Sequence, residues 1–333
     1  MRFVVYGAGA IGGVIGARLY EHRDEHGHDV ALIARGAHLE AIKANGLRID
    51  SADGSAMLPI EAASGPAELD LQADDVVVLA VKGQDTGAAL DALTSCAPPD
   101  IAVVCAQNGV ANERAALRVF ANVYAMCVMC PATHVEPGVV EATSSPISGL
   151  LDIGRYPGAV DAVAKTIAAA LEASTFRSEP RADIMRWKHQ KLLMNLGNAI
   201  EAACGPAGRA SDVGRMAMRE ALACYRAAAI EFASREEDQR RRGALLQMRE
   251  VGGRVRGGGS SWQSLARGTG TIESDYLNGE IVLLGRLHGI PTPVNTTLQQ
   301  LARRLAAEGA PPGSMTADEV LALATAASDA GRA

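Results

Sequence analysis

The chain has 333 residues, 48% of them apolar and 4% aromatic, and a formal net charge of −6. That length suffices for two domains of ordinary size. The mildly negative balance offers no basic footprint for nucleic acid, and no apolar run reaches the length that spans a membrane.

The apolar run that starts at Phe3 meets glycines almost at once and has no small-residue cleavage site. It reads as a first strand, not a signal peptide. Gly7-Ala8-Gly9-Ala10-Ile11-Gly12 follows it and opens a helical stretch over Ile11–Glu21. A GxGxxG turn between a strand and a helix is the setting in which dinucleotides bind. Gly7 permits the tight turn, Gly9 lets the backbone approach a pyrophosphate, and Gly12 lets helix and strand pack closely. The helix N-terminus adds positive potential.

The next strand, Val30–Ala34, ends in Arg35-Gly36 with no acid after it. An NAD enzyme places Asp or Glu there for the ribose 2′-hydroxyl. A guanidinium suits a 2′-phosphate instead, so the residues favour NADPH. Further strands are predicted over Asp75–Val81, Ile101–Ala106 and Val123–Met129, with helices over Ala37–Ala44 and Gln84–Leu93. Apolar character on both faces and βα alternation predict an α/β fold with a Rossmann-type, doubly wound parallel sheet. Gly138–Ala142 and Leu150–Ile153 read as antiparallel additions at its far edge.

Ligands bind outside the carboxyl ends of such strands. Two strands end there in polar residues. Lys82 can offer an ammonium to an anionic group, and Asn108, ahead of Gly109, can donate to a carbonyl or a ribose. Strand-end solubility and turn chemistry are the alternative readings. Cys127 and Cys130 are the one close-spaced pair among six cysteines, and they read as buried thiols in a strand. No second pair completes a metal site. Reduced thiols without a signal place the protein in the cytoplasm.

After Arg177-Ser-Glu-Pro180 the pattern becomes helical, over Asp183–Cys204, Asp212–Ser234, Glu236–Val251, Thr271–His288, Asn295–Ala307 and Ala317–Ala327. This predicts a sheet domain over 1–180 and an all-α domain over 181–333. Thr316 and Glu319 form a capping box for the last helix. Arg235–Gly259, rich in Arg, Glu and Gly, reads as a solvated helix ending in a flexible loop, with a cationic flap as the alternative.

Within the first of these helices, at about 100° per residue, Asn195 lies roughly 40° from Lys191 and Asn198 roughly 20° on the other side. One stripe thus carries an ammonium and two amides, facing either solvent or a ligand. Ser260 or Ser261 offers a hydroxyl at the start of a later helix, and Glu273 lies in the first turn of another, where it suits the dipole or could partner a lysine.

GAGAIGG, VKGQ at 81–84, QNG at 107–109, WKHQKLLMN at 187–195 and TIESDYLNGEIVLLGRLHGIPTPVN at 271–295 together resemble the ketopantoate reductase (2-dehydropantoate 2-reductase) family. The resemblance covers nearly the whole chain. It implies a Rossmann domain, a helical domain and NADPH-dependent reduction of a 2-oxo acid, ketopantoate, to pantoate on the way to coenzyme A. It also implies Lys191 as proton donor, with Lys82 and Asn108 lining the cofactor and substrate site. Asn195 would hold the substrate's hydroxyl region, Ser260 the carboxylate, and Glu273 would meet Lys191 or the substrate. Helical second domains of this kind often pair, which implies a homodimer. The chain departs from the family pattern at Ala199, where a second asparagine is usual; Asn198 stands one position early. Two alternatives stay open: a relative acting on another branched 2-oxo acid, and a non-catalytic NADPH-binding sensor.

Overall fold

The computed structural model describes the backbone of residues 1–330 and the side chains of residues 1–327. The chain divides into two compact units. The first comprises Met1–Gln107, Ala111–Lys188 and Ser234–Arg256; the second comprises Asn108–Val110, His189–Ala233 and the chain from Gly257 onward. Two features differ from a single boundary at 180/181. The helical run begins inside the first unit, and a segment from the second half of the sequence returns to it.

The first unit is built on an eight-stranded sheet ordered Phe176–Arg177, Gly149–Arg155, Asn122–Met129, Ala102–Cys105, Val76–Leu79, Arg2–Tyr6, Asp29–Ile33 and Glu61–Ala63. From Asn122–Met129 to Glu61–Ala63 every neighbouring pair is parallel. Gly149–Arg155 runs antiparallel beside Asn122–Met129. The two-faced apolar strands have a direct reason. Phe3, Val5, Leu32, Val78 and Val104 feed one buried cluster, while Val4, Ile33, Val77, Leu79 and Val103 feed another on the opposite face. Side chains alternate along a strand, so each strand seals two cores, and each buried Val or Leu contributes about 1.5–3 kcal/mol.

Gly138–Ala142 does not join this sheet. Val139–Ala142 lies in a second, four-stranded sheet, parallel to Leu47–Ser51 and antiparallel to Ala132–Glu136. The expected antiparallel edge holds for Gly149–Arg155 alone. Short strands such as Gly54–Leu58, exposed at most positions, carry no clear alternation, which hid this sheet from periodicity.

The helix of the Arg/Gly segment is solvated, with Asp238 its one buried residue, but the chain beyond it is tied down rather than a flexible loop. The helix stops at Arg242, before Gly243, and Leu246–Met248 pairs antiparallel with Ser144–Pro146. Arg241 and Arg181 both bind Asp152, at 3.0 and 2.7 Å from Oδ2. Arg186 grips Glu237 with both terminal nitrogens, at 3.0 and 2.7 Å, and Arg254 pairs with Glu141. Some of the charge that reads as solvation in the sequence is here an attachment to the first unit.

The second unit is helical. The predicted helix over Asp183–Cys204 is two, Ile184–Asn195 and Asn198–Cys204, broken at Leu196-Gly197. Asn278 Nδ2 donates to the Leu196 carbonyl at 3.2 Å, which satisfies an acceptor the break exposes. Thr271–His288 is likewise two pieces, a 3₁₀ turn over Glu273–Tyr276 and a helix over Asn278–His288. Longer helices span Asp212–Ala227, Pro293–Ala307 and Ala317–Ala330. Both reciprocal bonds of the Thr316/Glu319 capping box are present. No helix among the described residues is long and apolar enough to cross a membrane.

Candidate active site

In the first unit, Gly7 has φ +105°, and a Cβ there would lie 2.8 Å from the Val81 nitrogen. Only glycine fits both the dihedral and the approach. A Cβ on Gly12 would strike the Gly7 carbonyl oxygen at 2.1 Å, whereas one on Gly9 would meet nothing within 4 Å among the described residues. Thus Gly12 closes helix onto strand, and open space stands over Gly9, where a pyrophosphate would approach. The Gly7 and Ala8 N–H groups both donate to the Ile33 carbonyl, at 3.0 and 3.1 Å, and fix the turn's rear edge. The helix Ala10–Glu21 has no acid in its first turn, so its positive end is left for an anion. These features fit a dinucleotide.

Arg35 caps the helix Gly36–Asn45 at the end of the second parallel strand. Its side chain is 85% exposed and lies 3.6 Å from Asp85. Lys82 caps the 3₁₀ turn Gly83–Asp85 just past the strand Val76–Leu79. His38, one turn into Arg35's helix, was not singled out by sequence reasoning. Its Nε2 lies 2.7 Å from the Ala8 carbonyl oxygen, inside the glycine-rich turn, and its Nδ1 accepts from the Gly138 N–H at 2.9 Å. A lone histidine in a polar helix start carries no sequence signal for this.

Beneath the strand ends lies a buried polar network. Lys188, 3% exposed, places Nζ 2.6 Å from Oε1 of Glu113, which is fully buried. The same nitrogen donates to the carbonyls of Gln107 at 2.9 Å and Met126 at 3.2 Å. Cys127 and Cys130 are buried free thiols, and burial pushes Cys130 up to about 12, which suits packing rather than redox chemistry. Among the described residues no group of His, Cys, Asp and Glu is placed to hold a metal.

In the second unit, Asn195 Nδ2 donates to Asn108 Oδ1 at 3.0 Å. Asn108 sits in a turn that Gly109 makes possible: its φ is +79°, and a Cβ there would lie 2.7 Å from the Tyr276 carbonyl oxygen. Asn195 is 6% exposed, whereas Lys191, one turn earlier, is half-buried. The stripe therefore does not open onto bulk water at Asn195. Asn198 departs from the helical-wheel expectation, because the break before it resets the angle. Its Oδ1 accepts from Arg209 at 2.5 Å. Ala199 packs in the apolar core with Ile200, Val213 and Leu298.

Arg209 also binds Glu201 through Nε at 2.9 Å, and Glu201 Oε1 accepts the Gly259 N–H at 3.1 Å. Gly259 precedes Ser260, the first residue of the short helix Ser260–Ala266. Asn198, Arg209, Glu201 and the Gly259 backbone thus form one linked group next to Ser260. Arg209 and Glu201 escaped sequence reasoning, since a Gly-Pro turn and a mid-helix glutamate look ordinary. Glu273 is half-buried in its 3₁₀ turn.

A doubly wound unit with an open glycine turn, followed by a helical unit presenting a lysine and amides, defines a nicotinamide-dependent oxidoreductase. The sequence models of the family described as ketopantoate reductase PanE/ApbA match residues 3–158, and those of its C-terminal region match residues 183–306. The chain belongs to the ketopantoate reductase family. Similar proteins include the 2-dehydropantoate 2-reductases of Mesorhizobium japonicum, 31% identical over 92% of this chain and 98% of the relative, and Halobacterium salinarum, 30% identical over 93% and 100%. A solved PanE/ApbA family ketopantoate reductase from Ralstonia eutropha matches with TM-score 0.76 and 28% identity, over 93% of this chain and 99% of that one. A D-mandelate dehydrogenase bound to NADH and anilino(oxo)acetate matches with TM-score 0.77 and 21% identity, over 93% and 99%, and shares the fold.

Proposed function

We propose that the protein reduces 2-dehydropantoate to pantoate at C2, using NADPH, in the synthesis of pantothenate and coenzyme A. The relatives named for this reaction support the substrate. Arg35, 85% exposed just past the second strand and followed there by no acid in the sequence, supports the 2′-phosphate cofactor. The observation that carries the reading is the bond from Asn195 to Asn108. It joins the helix bearing Lys191 to the amide of the QNG turn, which supports a shared site for these residues.

NADPH, when bound, supplies the hydride. Gly7, Ala8, Gly9, Ala10, Ile11 and Gly12 hold its pyrophosphate, Arg35 its 2′-phosphate, and Lys82 and Asn108 its nicotinamide end. Lys191 stabilises the alkoxide that forms at C2 and donates the proton to it. Ser260 holds the carboxylate, while Asn195 holds the hydroxyl region. Glu273 orients Lys191. The reaction belongs to the cytoplasm, and the helical unit serves pairing into a homodimer.

Loss of NADPH absorbance with 2-dehydropantoate and a panel of branched 2-oxo acids tests this directly. Oxidation fastest with 2-dehydropantoate supports it; no oxidation with any of them overturns it. One observation favours a second reading, a different bulky 2-oxo acid. Ala199 is packed in the core, and Asn198 is already engaged by Arg209. The same panel separates the two by rank order.

A further inference from the structure

The buried network at Lys188 lies outside the residues assigned to catalysis, yet it reaches the neighbours of three of them. Lys188 Nζ binds the carbonyl of Gln107, the residue before Asn108. Gln107 Nε2 in turn donates to the carbonyl of Val81, the residue before Lys82, at 3.0 Å, and to Thr86 Oγ1 at 2.8 Å. Thr86 Oγ1 donates to Asn112 Oδ1 at 2.8 Å, beside Glu113. Lys188 itself stands one turn before Lys191. The chain leaves the first unit after Gln107 and again after Lys188, so the bond between these two residues ties both exits together.

A buried ion pair is an expensive way to gain stability, since apolar side chains of similar volume often serve as well. What apolar groups cannot do is fix two backbone carbonyls at hydrogen-bonding distance from one atom. We infer that Lys188 and Glu113 are positioning residues: Glu113 keeps Lys188 charged and aimed, and Lys188 holds the Gln107 carbonyl so that Asn108 and Lys191 keep the placement turnover requires. The inference rests on the reading of Lys191 and Asn108 given above. It predicts a loss in turnover separable from stability, because a displacement of about 1 Å costs on the order of 100-fold in rate.

The double variant Lys188→Met, Glu113→Leu removes both charges and keeps the volume. It is expected to melt near the wild-type temperature and to bind NADPH, followed by fluorescence, within about threefold, with kcat lowered about 100-fold. Lys188→Met alone strands a buried carboxylate and is expected to melt lower. A double variant with wild-type kcat overturns the inference. If the unaltered protein oxidises NADPH with no 2-oxo acid, the functional reading fails on that result alone. The positioning role is then read by amide exchange: faster exchange at residues 107–109 in a double variant of normal melting temperature supports it, and unchanged exchange there overturns it.

Discussion

His38 donates a hydrogen bond from Nε2 to the carbonyl of Ala8 across 2.7 Å. Because the Gly138 N–H must donate to the other ring nitrogen, the tautomer is fixed: Nδ1 is bare and Nε2 carries the proton. Burial, only partly opposed by the bond to Ala8, lowers the pKa of this ring, and the ring stacks at a tilt on His134 with centroids 4.3 Å apart.

The first prediction follows. His38→Ala removes one support of the glycine-rich turn, worth about 1 kcal/mol, so NADPH Kd should rise about fivefold with kcat nearly unchanged. The sign of the pH effect is set by the lowered pKa. The unfolded chain takes up the proton first, so this contribution is fully present above the ordinary histidine range and is lost as pH falls toward the folded value. Wild type should therefore lose more stability than His38→Gln on going from neutral to mildly acidic pH, measured by denaturant titration.

The proposed contact between Arg35 and a 2′-phosphate is tested through the choice of cofactor. Arg35→Ala removes a charge-assisted bond worth about 1.5–3 kcal/mol. The NADPH KM should rise by about 10- to 100-fold while the NADH KM stays within twofold or so. Equal rises for both cofactors in steady-state assays would show that the residue does not meet the 2′-phosphate.

Lys191→Ala should lower kcat by about 10²- to 10⁴-fold and leave NADPH affinity, measured by fluorescence, near wild type. The half-buried position of the side chain predicts only a small change in melting temperature. Equal loss of binding, turnover and fold would make the lysine structural.

Asp152 reports on the returning segment. Burial by itself would raise this carboxyl, but bonds from Arg241, Arg181 and the Glu179 N–H outweigh burial and hold it below its ordinary value. Its stabilising contribution is present above the unfolded pKa of about 4 and is lost as pH falls through the folded value. Asp152→Asn leaves Arg241, 9% exposed, with only the exposed Glu179, 3.4 Å away, as counter-charge. It should cost about 3 kcal/mol at neutral pH, checked by denaturant unfolding, and the difference from wild type should shrink in acid.

The sheet was legible because its strands are apolar on both faces and its glycine turn sits where a strand meets a helix. The placement of Arg35 and Lys82 just past strand ends was legible because such strands stop where their apolar run gives way to polar residues. Asn198 was misplaced because a helical wheel assumes an unbroken helix, and nothing in Leu196-Gly197 declares the break: glycine inside a helical pattern is tolerated at a cost of about 1 kcal/mol. His38, Glu201, Arg209 and Lys188 were missed for a shared reason. Each acts through a partner distant in sequence, as Lys188 does with Gln107, and periodicity along the chain records no such partner.

The segment Ser234–Arg256 bears on how this polypeptide can be made. The nucleotide-binding half is not finished when the ribosome passes residue 188: the edge strand Ser144–Pro146 still lacks its mate, and Asp152 still lacks one of its two guanidiniums. A gene fragment cut at the apparent boundary should yield insoluble product, and splitting the protein into separately expressed halves should succeed only if residues 234–256 travel with the first.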